Sequence, residues 1–275
     1  MNNPAFFNTL STQQNALTEF KLQEFANKAK QATVKFSEWF TSLKLLGGNI
    51  IFCNTDNIDY NGTKLIKIAK SKLLSGAKDG AQTSSLQFSG AFVSAFEFYD
   101  NDTKAALLQS DGYKSAYLNF DSSLTMPTSA ANLTSLTNFR GNIGETPKGL
   151  TVTNGNFYIS DWNKQKVFQG SWTGNLNTIT KTKEYSFPEQ GAHQICILPG
   201  GADWLCPVWP SAKLYHLRMS TPYDIATSSV VGTLDLKSDF NHLSSVQYDN
   251  DFLYVGGSVI SGSTWDSKLV IYKRS

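Results

Sequence analysis

Residues 149–175 read GLTVTNGNFYISDWNKQKVFQGSWTGN, and the fold is most legible there. Gly149–Thr153 alternates apolar and polar residues, as a half-buried strand does. Asn154-Gly155 follows, the pair best suited to a two-residue hairpin turn because both positions accept positive φ. Residues 156–161 (NFYISD) form the return strand, and residues 166–172 (KVFQGSW) a third one. The fourth is expected over residues 182–187 (TKEYSF), so the unit opening at Pro147 is a four-stranded meander.

Working outward, the same order recurs. HQICILP, DWLCPVW, KLYHLRMS and VVGTLDL follow from His193 to Leu236, and LSSVQYD, FLYVGG and KLVIYKRS close the chain from Leu243 to Ser275. Towards the N-terminus come FVSAFEFYD, KAALLQS, KSAYLNF and SLTNFR, preceded by IIFCNT, TKLIKIAK and SSLQF. A spacing of roughly 40 to 50 residues per unit is that of propeller blades. The expectation is an all-β propeller of about five blades over residues 48–275, with a β-sandwich as the alternative. The first unit lacks an inner strand and the last an outer one. The simplest closure is a blade shared by the two ends of the chain, which removes free sheet edges.

Two stretches carry resemblances. Residues 149–175 resemble a repeat of the NHL and related propeller families, in which a strand ends in an Asp-containing turn, here at Asp161. Residues 213–236, KLYHLRMSTPYDIATSSVVGTLDL, are similar to a segment of propeller-like and tail-associated proteins of bacteriophages. The matching run is Ser220-Thr221-Pro222-Tyr223-Asp224-Ile225-Ala226-Thr227-Ser228. Its own chemistry is that of a blade corner: Pro222 fixes φ, and Asp224 can accept from neighbouring amides.

Residues 12–46 are expected to form one amphipathic helix. Ser11 or Thr12 can cap it, and Gly47-Gly48 stops it. Leu22, Phe25, Ala29, Ala32, Phe36, Trp39, Leu43 and Leu46 recur at alternating steps of three and four, one stripe along a helix. That reading makes residues 1–47 a helical anchor or oligomerisation segment that packs on its own β domain, docks in a groove on a partner, or associates with a second copy of the chain.

Bulk composition excludes more than it proposes. A net charge of +2 with thinly spread basic residues gives no reason to expect nucleic acid. No signal peptide and no bilayer-length apolar run is visible. Cys53, Cys196 and Cys206 lack metal-site spacing. Cys196 and Cys206 on neighbouring strands permit a disulfide, with buried thiols the favoured state. His193, His216 and His242 occupy non-corresponding positions in their units, so a three-histidine metal site is not expected. The acidic residues are scattered, and no nucleophile elbow, phosphate loop or dinucleotide fingerprint appears. No catalytic residue and no cofactor is assigned.

Aromatics make up 13% of the chain, and most tryptophans are expected in the wedges between blades. Trp162, Trp172 and Trp265 lie nearest polar loops and are the candidates for stacking on a sugar or a partner. The functional expectation is a non-enzymatic virion protein of a bacteriophage, a tail appendage or adhesin made in the host cytoplasm. Its partners would be other virion proteins and a host surface glycan, without membrane insertion. The alternatives are a soluble bacterial carbohydrate-binding or scaffold propeller and a polysaccharide-active enzyme.

Overall fold

The computed structural model describes residues 20–25, 29–36, 39–55, 63–83, 93–109, 114–121, 124–126, 134–136, 143–261 and 264–275. Among these, twenty strands form five antiparallel four-stranded sheets, the blades of a propeller. Blade 1 runs outward as β2 (Trp39–Leu46), β3 (Asn49–Thr55), β4 (Thr63–Ala69) and β5 (Gln82–Thr83). Blade 2 is β6 (Val93–Tyr99), β7 (Lys104–Gln109), β8 (Lys114–Asn119) and β9 (Thr134–Ser135). Blade 3 is β10 (Pro147–Thr153), β11 (Asn156–Asp161), β12 (Lys166–Ser171) and β13 (Lys183–Ser186). Blade 4 is β14 (Cys196–Ile197), β15 (Asp203–Val208), β16 (Lys213–Met219) and β17 (Ser228–Asp235).

Blade 5 closes the ring. Its inner strands are β18 (His242–Asp249), β19 (Phe252–Ser261) and β20 (Thr264–Lys273), and its outer strand is β1 (Lys30–Phe36), antiparallel to β20. The closure is the shared blade expected from the sequence. The expected fourth strand SSLQF of blade 1 lies outside the described residues.

The N-terminal helix is corrected. Residues 30–36 and 39–46 are strands, and the one α-helix among the described residues is the five-residue Lys70–Leu74. Within β1 the burial alternates strictly, with Ala32, Val34 and Phe36 inside and Thr33 and Lys35 outside. That is the two-residue period of a strand. Selecting apolar positions three and four apart hid it, because Val34 belonged to no helical stripe. Leu22 and Phe25 sit in a 3₁₀ turn, Leu22–Phe25, and both are buried. Ala29 precedes β1 and is exposed, Trp39, Leu43 and Leu46 belong to β2, and Leu43 is buried in the core.

Five apolar clusters fill the five wedges between neighbouring blades. Phe96, Leu107 and Ile51 pack between blades 1 and 2, Phe157, Ile159 and Leu108 between 2 and 3, and Trp204, Val167 and Leu217 between 3 and 4. Phe40, Phe52, Val34 and Ile271 fill the wedge between 5 and 1. In the wedge between 4 and 5, Phe20, Leu22 and Phe25 join Leu214, Leu234, Val255 and Tyr272. The Phe20 ring meets His216 and Tyr248 edge-on, each at 4.9 Å. Burying a Leu or Phe side chain stabilises by about 1.5–3 kcal/mol, so this segment is part of the core. The stripe proposed to seek a partner is covered, at Leu22 and Phe25, by the same subunit.

The ends of the chain are also tied together by polar contacts. Arg274 pairs with Glu24, the Ser275 amide donates to the Glu24 carbonyl at 3.2 Å, and the Lys273 amide to Ala29 at 2.8 Å. Asp239, almost fully buried, accepts from Lys30 of β1 and, at 2.9 Å, from Tyr272 Oη of β20.

Candidate functional site

The ring has two faces. Links from the outer strand of one blade to the inner strand of the next share a face with the loops between second and third strands. This is the loop face. The tight turns between first and second strands, such as Asn154-Gly155 with φ of 48° and 70°, lie on the opposite, hairpin face.

Side chains link the innermost strands to one another across blades. Gln194, just before β14, reaches across to β2. Its amide nitrogen donates to the Leu43 carbonyl at 2.6 Å, and its oxygen accepts from the Leu43 amide at 3.1 Å. This pairs a side-chain amide with the free backbone edge of an innermost strand, so groups otherwise orphaned are satisfied. Lys44 of β2 and Glu97 of β6 form a buried ion pair, and Glu97 also accepts from the Phe98 amide at 3.0 Å. Burial pushes the Glu97 carboxyl up, against the pull of Lys44 and of the Phe98 and Val152 amides. Such a pair is costly to desolvate, and removing either partner would leave an uncompensated buried charge. Cys196 lies close enough to feel both charges, but burial pushes its thiol up to about 11, so it is a neutral packing residue. Cys53 and Cys206 are also buried free thiols. Cys196 pairs across the sheet with Leu205 rather than with Cys206, and the two cysteines belong to different wedges.

At the loop face, blades 3, 4 and 5 bring together four side chains that the sequence scatters. Trp162 is in the β11–β12 loop, His193 in the link from blade 3 to blade 4, Trp209 in the β15–β16 loop, and His242 opens β18. The imidazole of His193 stacks on Trp209 at 5.3 Å with 23° between planes, and Trp162 meets it edge-on at 5.4 Å. Trp209 in turn stacks on His242 at 4.7 Å, nearly parallel at 4°. Its carbonyl lies 3.0 Å from His242 Nδ1. The backbone around His193 is pinned, since its amide donates to Pro207 at 3.0 Å and its carbonyl accepts from Ser160 Oγ at 2.7 Å.

His193 is 5% exposed, and both of its ring nitrogens are buried without a hydrogen-bond partner. Burial, then the positive fields of Lys148 and His242, hold its pKa well below the usual histidine range. The ring is therefore neutral near pH 7, one nitrogen a donor and the other an acceptor. Trp162, Trp209 and His242 are half-buried and reach the surface.

The tryptophans named from the sequence do not converge. Trp162 lies in the cluster. Trp172 follows β12 on the hairpin face, packed at 5.1 Å against Tyr99. Trp265 is on β20 opposite Ile260, and its side chain is outside the described residues. Sequence reasoning missed Trp209, His193 and His242 as a group. Sequence spacing suggests at most a metal triad for the histidines, and His216 is elsewhere, 2.7 Å from Asp203. Burial works against the Asp203 carboxylate, but His216 and Arg218 hold it below its ordinary range. Among the described residues, no cluster of His, Cys, Asp or Glu has the arrangement of a metal site.

Two structural readings of motifs hold. Asp161 is fully buried and accepts from the amides of Glu145 at 2.5 Å, Thr146 at 3.1 Å and Lys164 at 3.0 Å, bracing its turn. Residues 220–228 are the corner between β16 and β17. Asp224 caps a 3₁₀ turn through the Ala226 amide at 3.2 Å and pairs with Lys183 at 2.6 Å. Gln169 of blade 3 grips this corner at the Tyr223 carbonyl, 2.6 Å, and the Ile225 amide, 2.7 Å.

No family model matches the chain, and no curated protein matches it. Solved structures do. A glutaminyl cyclase from Myxococcus xanthus superposes with a TM-score of 0.55 at 12% identity, over 87% of this chain and 96% of that one. A nidogen/laminin complex superposes with a TM-score of 0.50 at 10% identity, over 80% of this chain and 72% of that one. A luciferin-regenerating enzyme is similar at a TM-score of 0.46 and 13% identity, covering 73% of this chain and 64% of that one.

At such identities the likeness establishes the propeller fold, and chemistry must be argued from the site. It also corrects the expectation of a non-enzymatic chain. The scaffold is shared with an enzyme over nearly its whole length, so missing sequence motifs do not exclude catalysis. None of these similarities shows a phage or virion origin. The chain is a five-bladed β-propeller whose aromatic and imidazole cluster lies on the loop face of blades 3 to 5.

Proposed function

We propose that the chain is a recognition propeller that holds a polar, ring-bearing ligand, a glycan unit foremost, at the loop face beside Trp162. The observation that carries this reading is His193, a neutral imidazole with two buried, unpartnered nitrogens set against half-exposed indoles. Leaving a buried polar group unsatisfied costs about 1–3 kcal/mol. A ligand hydroxyl entering beside Trp162 supplies the missing donor or acceptor, and the indole face suits the C–H face of a sugar.

The setting we propose is a phage particle assembled in a host cytoplasm, with other virion proteins as partners and a host surface glycan as target. It is supported by the resemblance of residues 213–236 alone.

The test is a glycan panel read by intrinsic tryptophan fluorescence, with product analysis of every hit because an enzyme shares the scaffold. Trp162→Ala is expected to weaken binding by about tenfold or more, since sugar–indole stacking is a major term. Trp172→Ala, on the opposite face, leaves binding unchanged. Equal affinity in Trp162→Ala and wild type, or no hit on the panel, overturns the reading.

A further inference from the structure

Blade 5 also carries a cavity of about 230 Å³ lined, among the described residues, by Lys35, Val259, Asp266, Ser267 and Lys268. Its position follows from register. Lys35 of β1 and Lys268 of β20 are directly opposed Cα partners, and Val259 of β19 opposes Asp266. Residues opposed in this way project from the same side of the sheet, so two ammonium-bearing side chains open side by side into one space.

Like charges directly opposite each other destabilise a sheet unless something neutralises them. The protein does so incompletely. Asp239 approaches Lys268 at 3.6 Å, but its carboxylate already accepts from Lys30 and Tyr272, and Lys268 donates instead to the Asp239 carbonyl at 2.7 Å. The ammonium of Lys35 has no partner among the described residues. The lining therefore holds two ammoniums against the one carboxylate of Asp266. Burial first, then the positive charges of Lys30 and Lys35, pull the Lys268 pKa down in spite of Asp239, which reports the same crowding. Side-chain contacts keep the space small and partly apolar: Lys268 lies over the Phe240 ring at 5.3 Å, and Val259 supplies a wall.

We propose that this cavity is a binding site for a small ligand bearing one oxyanion group, a phosphate or a carboxylate, seated between Lys35 and Lys268. The space is below the range of roughly 300–1,000 Å³ usual for drug-sized ligands, so the occupant is compact. An oxyanion accepts from both lysines in charge-assisted hydrogen bonds and removes their repulsion. Its lining shares no residue with the Trp162–His193 cluster, and the proposal does not depend on that cluster's role.

The experiment is a titration of the full chain with inorganic phosphate and, separately, with acetate, followed by NMR of the amides of β1 and β20 at constant ionic strength. Saturable shifts centred on Lys35 and Lys268 are expected with at least one of the two, and the stronger one identifies the oxyanion. Lys35→Met removes an exposed, unpaired ammonium and leaves the fold intact. It is expected to weaken binding by about tenfold. Lys268→Met, checked for folding by circular dichroism, does the same, and Trp162→Ala has no effect. Shifts that never saturate up to ~50 mM, or affinity unchanged in Lys35→Met, overturn the proposal.

Discussion

Blades 3 and 5 are built to one plan from different lengths of chain. Blade 3 takes its four strands from a contiguous stretch, Pro147–Ser186, and each strand pairs with the next in sequence. Blade 5 needs both ends of the chain, because its outer strand, Lys30–Phe36, pairs with Thr264–Lys273. Blade 3 is therefore held by local turns, among them Asn154-Gly155 and the Asp161 brace. Blade 5 is held by long-range ties, Asp239 to Lys30 and Tyr272, Arg274 to Glu24, and Phe20, Leu22 and Phe25 in the wedge. Long-range pairing costs more chain entropy before any contact repays it. Damage to blade 5 should loosen the ring, whereas damage at a blade 3 turn should stay local.

The largest expected effect is at Val34, the centre of β1. Val34→Asp places an unpaired charge in the wedge between blades 5 and 1 and is expected to cost about 4 kcal/mol. Hydrogen exchange should show lost protection in β18–β20 and β2–β3 while β10–β12 stay protected. Parallel loss in all five blades would break the distinction between the two regions. Asp239 comes next. Buried though it is, donation from Lys30 and Tyr272 holds its carboxyl below the ordinary carboxylate pKa. Its stabilisation is complete above the unfolded value near 4, and is lost as pH falls through the depressed folded value. Asp239→Asn should therefore lose about 2 kcal/mol at neutral pH and show a flatter acid limb in denaturant melts; an unchanged acid limb would remove Asp239 from the closure. Smallest is Gly155→Ala in the blade 3 hairpin. The position has φ +70° with open space around it, so only backbone strain is added. About 1 kcal/mol is expected from the melting temperature, with ring closure untouched.

How far the sequence could be read follows the same division. The NG hairpin, the Asp161 turn and the corner at residues 220–228 were legible because the groups that decide them are a few residues apart. The need for a shared blade was also legible, from the missing outer strand of the last unit; the inner strand that seemed missing from the first is β2, hidden by the helix reading. What misled was the identity of residues 12–46. A stripe chosen at steps of three and four passes over Val34 and Phe40, both buried, and the period-two alternation of 32, 34 and 36 is short enough to be absorbed into it. The site was half visible. Trp162 was singled out as a loop aromatic, but Trp209, His193 and His242 meet only because three blades converge, and no spacing in the chain encodes that meeting.

The shared blade also bears on how the protein is made. Strand β1 leaves the ribosome well before its partner β20, with the strands of blades 1 to 4 made in between. At roughly 5–20 residues per second the wait is on the order of tens of seconds. Throughout it, blades 1 to 4 can assemble on the nascent chain while the growing arc stays open, with the apolar face of β1 uncovered. A chaperone that masks Ala32, Val34 and Phe36 during translation would therefore raise the yield of closed rings without altering the finished molecule.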